Sequence, residues 1–287
     1  YTMPVLQVFY NPKQSVASNT SFSPSAGKPA AFVDSIRDMN RVHVVSDWRP
    51  LSEAEIAVAH HESHVRDTLA CNKPNGFGNT LPEVAASLPW TNGSFYHAAR
   101  FAVLGRTFSF SPTSGFHHAT YASAEGFCTF NGLMIAAILL HREGLVRRVG
   151  IVDLDAHFGN GTADIIQRLS IDYVDHLTLG ALHPKYLGSD WGRFIADLPG
   201  YLEDRFSECD VLLYQAGADP HIDDPLGGYL TSEELRLRDR HVFRFARRRG
   251  IPVVWNLAGG YQTPLSKVLE IHRATVEECL AAMPEGV

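Results

Sequence analysis

From Arg106 onward, short runs of β-branched and aromatic residues take turns with longer amphipathic stretches, and this alternation limits the fold more than any other feature. The strand-like runs are Thr107 to Ser111, Val149 to Asp155, Tyr173 to Leu179, Val211 to Gln215 and Pro252 to Leu257. Helical patterns fall between and after them, at Glu125 to His141, Gly161 to Leu169, Ser232 to Arg249 and Pro264 to Ala282. Strand, crossover helix and strand in repeated order predict an α/β fold of three layers, a central and mostly parallel sheet with helices on both faces. Val5 to Tyr10 reads as a first strand, and Ser52 to Leu69 and Asn92 to Leu104 read as helices. Asn11 to Pro29 and Cys71 to Pro89 are rich in turn formers and read as surface loops. No linker interrupts the order, so all 287 residues are read as a single domain.

In such sheets ligands bind outside the carboxyl ends of the strands, and the chemistry-bearing residues of this chain fall there. The segment Ile151-Val-Asp-Leu-Asp-Ala-His-Phe-Gly-Asn-Gly-Thr162 spaces Asp153, Asp155 and His157 two apart, so a strand running through them projects all three to one side. Buried carboxylates repel each other unless a cation sits between them, and Asp oxygen with His nitrogen suits a divalent metal. The run Val211 to Gln215 leads through a glycine turn to Asp219, a third ligand that leaves a position open for water, as in catalytic rather than structural zinc sites. Asp155, His157 and Asp219 are therefore the candidate metal ligands. His117 and His118 are candidate proton-transfer groups, and Trp255-Asn-Leu-Ala-Gly-Gly-Tyr261 adds a phenol. Singly, each has an ordinary explanation as a turn, packing or surface residue; their convergence on one sheet edge points to a site.

Taken together, these segments resemble the histone deacetylase family of zinc-dependent acyl-lysine and acetylpolyamine amidohydrolases, which have the arginase/deacetylase fold. The matching pieces occur in the family's order from about Arg106 to Tyr261: His117-His118, Gly126-Phe127-Cys128 with Asn131, the block Asp153 to Gly161, Ala181-Leu-His183, Gly217-Ala-Asp219 with Asp224-Pro-Leu-Gly-Gly228, and Gly259-Gly260-Tyr261. The N-terminal third adds little to the likeness. The resemblance implies Zn2+ on Asp155, His157 and Asp219, with Fe2+ or Co2+ as possible substitutes. It implies His117 and His118 as general base and acid, Tyr261 as oxyanion donor and Asp153 as the acceptor that holds the His117 tautomer. A structural K+ or Na+ is implied beside Asp153, Asp155 and His157, with the carbonyls of Ala181 and Leu182. The substrate channel is expected to be bordered by Gly126, Phe127, Gly259 and Gly260, with Tyr186 and Trp191 as candidates for its opposite wall.

Two departures from the commonest pattern matter. Phe158 replaces a frequent histidine that is not a ligand. Asn160 stands where many members carry an Asp paired with the second histidine, and a neutral partner predicts a His118 that is largely neutral near pH 7 and available as a base. The rim loop Asn75 to Asn79 has no carboxylate where many protein deacetylases hold the substrate backbone, which keeps small acylated amines beside acyl-lysine as substrates. An arginase-type dimetal site needs further carboxylates that Phe158 and Gly159 do not supply. A silent metal-binding scaffold has no use for Tyr261.

Composition excludes other classes. A formal net charge of -6 argues against nucleic acid as a general partner. The basic run Arg236 to Arg249 interleaves with Leu235, Val242, Phe243 and Phe245 as a solvated helix would, with Gly250 as its cap. Cys71, Cys128, Cys209 and Cys279 have no metal-type spacing and read as reduced core residues. No apolar run has membrane-spanning length and the opening residues show no secretory pattern, so a soluble cytoplasmic enzyme is expected. Nothing in the sequence bears on oligomeric state.

Overall fold

The computed structural model describes residues 3–186 and 191–284. Seven parallel strands form one sheet: β1 (Leu6–Phe9), β2 (Val42–Val45), β3 (Phe108–Phe110), β4 (Val149–Asp153), β5 (Val174–Thr178), β6 (Val211–Gln215) and β7 (Val253–Asn256), in the order β2-β1-β3-β7-β6-β4-β5. The central strands β3, β7, β6 and β4 are buried throughout because both faces are covered. Leu212 and Tyr214 of β6 join Val152 and Trp255 in one core, whereas Val211 and Leu213 join Ile151 and Val254 in the other. Successive residues thus feed opposite layers, as the pleat requires.

The helices are α1 (Lys28–Ile36), α2 (Glu53–Ile56), α3 (Glu62–Leu69), α4 (Pro82–Gly105), α5 (Gly132–Arg142), α6 (Asn160–Arg168), α7 (Leu179–Tyr186), α8 (Gly192–Phe206), α9 (Ser232–Arg249) and α10 (Ser266–Ala282). α9 has the expected bounds: Thr231 and Glu234 form a capping box at its start, and Gly250 ends it at φ 66°. Its arginines pair with neighbouring helices, Arg236 with Glu277 and Glu278, Arg240 with Glu278 and Arg249 with Glu203, so the basic run is a solvated helix face.

Several N-terminal expectations need correction. Ser52 to Leu69 is two helices rather than one, because Ser52 caps the first and His61, accepting from Ser63 N, starts a second. α4 begins at Pro82, ten residues earlier than expected; a proline in the first turn forfeits no helical hydrogen bond, and Pro89 is tolerated inside the helix. Part of the expected Asn11 to Pro29 loop is helical from Lys28. The edge strand β2, only partly buried, carries too weak an alternation to be seen in sequence. α5 starts at Gly132 rather than Glu125, because Gly126 and Phe127 adopt φ values of 51° and 65° that no helix accommodates. All four cysteines are free. Among the described residues no helix is long and apolar enough to cross a membrane.

Candidate active site

Strands β7, β6, β4 and the edge strand β5 put their carboxyl ends in one row. Asp153 is in register with Gln215 on β6 and Thr178 on β5, and Gln215 with Asn256 on β7. The loops beyond these ends build the site. β4 stops at Asp153, so the two-residue projection expected for Asp153, Asp155 and His157 does not occur. The chain turns instead on its own side chains: Asp155 N donates to Asp153 Oδ1 at 3.3 Å and His157 N to Asp155 Oδ1 at 3.0 Å. A buried guanidinium, Arg238, donates to Leu154 O at 3.0 Å and Gly217 O at 2.6 Å, tying this loop to the one after β6.

The result is a tight cluster. One donor atom each from Asp155, His157 and Asp219 lies within 4.8 Å of the other two. His157 Nδ1 is 3.1 Å from Asp155 Oδ1 and 2.9 Å from Asp219 Oδ2. Asp219 Oδ2 is nevertheless buried without a partner in hydrogen-bond geometry. The proximity of both carboxylates, Asp155 first and then Asp219, pushes the His157 imidazole far above its usual range. Burial, together with the neighbouring Asp155, pushes Asp219 up. Burial acts the same way on Asp155, but His117 and His157 outweigh it and hold this carboxyl low. Two buried carboxylates and one imidazole around a single point suit a divalent cation.

His117 is buried, and its Nδ1 donates to Asp153 Oδ2 at 2.7 Å. Burial alone would lower its pKa, but Asp153, Asp155 and Asp219 overcome this and raise it to about 9. Asp153 is itself steadied by Gln215 Nε2 at 3.2 Å, and His176 Nε2 stands 3.8 Å away. The adjacent His118 behaves oppositely. Its Nδ1 is 2.6 Å from the neutral Asn160 Oδ1, and burial followed by the charge of His117 lowers its pKa.

Tyr261 lines the recess that also receives His117, His118, Asp155 and His157. Burial and then the charges of Asp155 and Asp219 raise its phenol far above normal, so it stays a donor. Its backbone N–H is fixed by Asp224 Oδ2 at 2.8 Å. Gly259 at φ 56° is obligatory, since a Cβ there would lie 2.5 Å from Asp219 Oδ1; a Cβ on Gly260 would instead strike Val268, so Gly260 turns away from the recess that Gly259 lines. The buried Lys28 donates to the carbonyls of Leu257 and Gly259. Burial lowers its pKa to about 7 against the pull of Asp219, Asp155 and Asp224.

The mouth is aromatic. Phe127 lies 5.8 Å from Tyr261, 5.3 Å from Phe22 and 6.1 Å from Phe77, ring centre to ring centre. Tyr186 does not form the opposite wall: it is buried in the core and donates to Asp197 at 2.7 Å. Trp191 stacks on Tyr229 at 4.8 Å. Ala181 and Leu182 sit within helix α7, and the Thr178 hydroxyl lies 3.5 Å from the His157 carbonyl. Sequence reading missed Lys28, Gln215, His176, Thr178 and Arg238, all of which act across long stretches of chain. Asp224 was visible in its Asp-Pro-Leu-Gly-Gly motif, although its bond to Tyr261 was not.

Comparison with known proteins bears on this geometry. The histone deacetylase domain family matches residues 27–177. The match thus begins well before Arg106, and the N-terminal third carries more of the likeness than its sequence suggested. Histone deacetylase 2 of Arabidopsis thaliana is 30% identical over 172 residues, 54% of this chain and 44% of that protein. Acetylpolyamine amidohydrolase 1 of Pseudomonas aeruginosa is 28% identical over 178 residues, 50% of this chain and 48% of that protein. The crystal structure of the HDA15 HD domain superposes with a TM-score of 0.78 at 20% identity, covering 98% of this chain and 91% of that one. This chain spans about half the length of the curated relatives it matches.

Proposed function

The chain belongs to the histone deacetylase domain family, and on that premise we propose that it is a zinc-dependent amidohydrolase removing an acyl group from an N-acylated amine. The observation that carries this reading is the meeting of Asp155, His157 and Asp219 within 4.8 Å, where Asp155 and His157 line the recess that also receives a histidine pair and a phenol. The unpartnered Asp219 Oδ2 fits an ion at that point, and Fe2+ or Co2+ would fit the same donors. When bound, the ion supplies Lewis acidity to the amide carbonyl and the attacking water.

The protein's own groups do the rest. His118, held neutral by burial, takes the proton of the attacking water at Nε2 and passes it to the leaving amine. His117, held through Nδ1 by Asp153 at 2.7 Å, presents Nε2 to the reacting groups as the second member of the acid–base pair. Tyr261, a donor at all working pH values, hydrogen-bonds the acyl oxygen as it becomes an oxyanion. The aromatic mouth of Phe22, Phe77, Phe127 and Tyr261 suits a slender alkyl chain such as that of acyl-lysine, the leading substrate class. A second reading, acetylpolyamines or other small N-acyl amines, draws on the Asn75 to Asn79 loop. That loop has no carboxylate, and its Asn79 side chain is occupied by Asn19 O and Thr20 Oγ1.

The test is a panel of fluorogenic acyl-lysine peptides and acetylated polyamines, assayed with and without chelator and with zinc restored. Chelator-sensitive hydrolysis of one class supports the reading and selects the substrate. Tight zinc binding with no turnover of any member would instead indicate a silent scaffold.

A further inference from the structure

Among the described residues, the hydrogen-bond path from His118 to a carboxylate runs through an intermediary. Its Nδ1 contacts Asn160 Oδ1 at 2.6 Å, Asn160 Nδ2 donates to Glu125 Oε2 at 3.1 Å, and Ser123 Oγ donates to Glu125 Oε1 at 3.0 Å. We propose that Glu125 is a positioning residue: by accepting from the Asn160 amide it fixes which end of that amide faces His118, and so keeps the His118 proton on Nδ1 and Nε2 free for the reaction. This rests on the reading of His118 as the proton-transfer group.

The chemistry of the three groups makes the orientation one-sided. An ionised carboxylate has acceptors only, so it faces the NH2 end of the amide and leaves the oxygen for His118. An amide oxygen in turn can only accept, which places the proton on His118 Nδ1. Flipping Asn160 would set two acceptors against each other at Glu125 and turn a donor toward His118, favouring the other tautomer with Nε2 blocked. An Asp at position 160 would present oxygen in either orientation and need no such guard. Glu125 thus supplies what Asn160 alone lacks.

The backbone holds Glu125 in place for this. Glu125 N donates to Cys128 O at 3.0 Å and Cys128 N to Glu125 O at 2.8 Å, closing a turn whose central residues, Gly126 and Phe127, have φ values of 51° and 65°. The same turn packs on His118, since a Cβ on Gly126 would lie 2.6 Å from His118 Cδ2. One turn therefore seats the imidazole and carries the distal acceptor. The Glu125–Asn160 contact is exposed and contributes little to stability; what it contributes is direction.

The experiment combines long-range 1H–15N spectra of histidine-labelled, zinc-loaded protein, with the His118 signals assigned by difference from His118→Gln, and steady-state kinetics of a two-by-two set. Wild type is expected to show a single His118 tautomer protonated on Nδ1, and Glu125→Ala a mixture. Glu125→Ala should lower kcat about tenfold, the range seen for residues that orient a functional histidine, with KM unchanged. Glu125→Gln, whose amide oxygen still accepts, should keep most of the rate. In the Asn160→Asp background the sign reverses: removing Glu125 should leave kcat unchanged or raise it, by relieving repulsion between two carboxylates. An unchanged tautomer in Glu125→Ala, or the same tenfold loss in both backgrounds, overturns the proposal. If wild type hydrolyses none of the substrates the amidohydrolase reading fails, whereas the spectra still decide the role of Glu125.

Discussion

Two histidine pairs are tied to the loop 117–131, one carried on it and one packed against it, and their surroundings tune them differently. His117 and His118 stand at the carboxyl ends of the strands, where Asp153, Asp155 and Asp219 raise the first to about 9 while burial and its charged neighbour lower the second. His60 and His64 pack on Phe130, with ring centres 5.5 Å and 5.4 Å from it, and burial drives them down to about 3 and 4. His60 is fully used by backbone, its Nδ1 toward Thr120 O at 2.9 Å and its Nε2 accepting from Asn131 N at 2.9 Å. The difference teaches that carboxylate partners set His117 apart, whereas peptide groups occupy both ring nitrogens of His60 and leave it a structural residue. The second pair braces the loop on which the first is carried.

The largest effect should come from the carboxylate side. Asp219→Asn should abolish both activity and stoichiometric zinc, measured by assay and elemental analysis on the same sample, while the fold survives by circular dichroism. Next, Tyr261→Phe should lose about 10²- to 10³-fold in kcat, the range for removal of an oxyanion donor, with zinc content unchanged; full activity would remove Tyr261 from its role. On the structural side, His60→Leu leaves Thr120 O and Asn131 N without partners and should cost about 2–5 kcal/mol in denaturant unfolding, without altering zinc stoichiometry.

The pH dependence of stability separates the pairs further. His60 and His64 have folded-state pKa values below the ordinary 6.5, so the unfolded chain binds their protons first, and stability present above pH 6.5 is lost as pH falls toward about 4 for His64 and about 3 for His60. Each histidine contributes a slope of up to about 1.4 kcal/mol per pH unit. The nearby charges of Lys73 and His61 act on His64 in the same direction. His60→Leu should flatten this acid limb, and a limb of unchanged steepness would contradict the burial argument. The smallest effect is expected at the rim: Phe22, 73% exposed, should change KM by only a few fold on substitution to Ala, since little apolar area is removed from water.

The legibility of these regions in sequence followed from the range of the interactions involved. β6 and α9 were readable to the residue because each carries a local signal, an unbroken apolar run in one and a capping box with a terminal glycine in the other. The clustering of Asp155, His157 and Asp219 was readable because strand ends announce themselves by apolar runs and glycines, even though β4 stops at Asp153 and the three residues meet through a loop rather than a pleat. Lys28 reaches Leu257 O across 229 residues, and Thr178 reaches the His157 carbonyl from another strand; no local pattern marks either. α4 was misread for a local reason, since Pro82 and Pro89 look like breaks until the first is seen at the helix start.

The central claim is that Asp155, His157 and Asp219 grip one divalent ion at the floor of the aromatic recess. An anomalous difference map at the zinc edge, from crystals of the zinc-loaded protein, tests it most directly. The account requires a single peak about 2.0–2.2 Å from one donor atom of each residue. A peak elsewhere, or none between these three side chains, would contradict it.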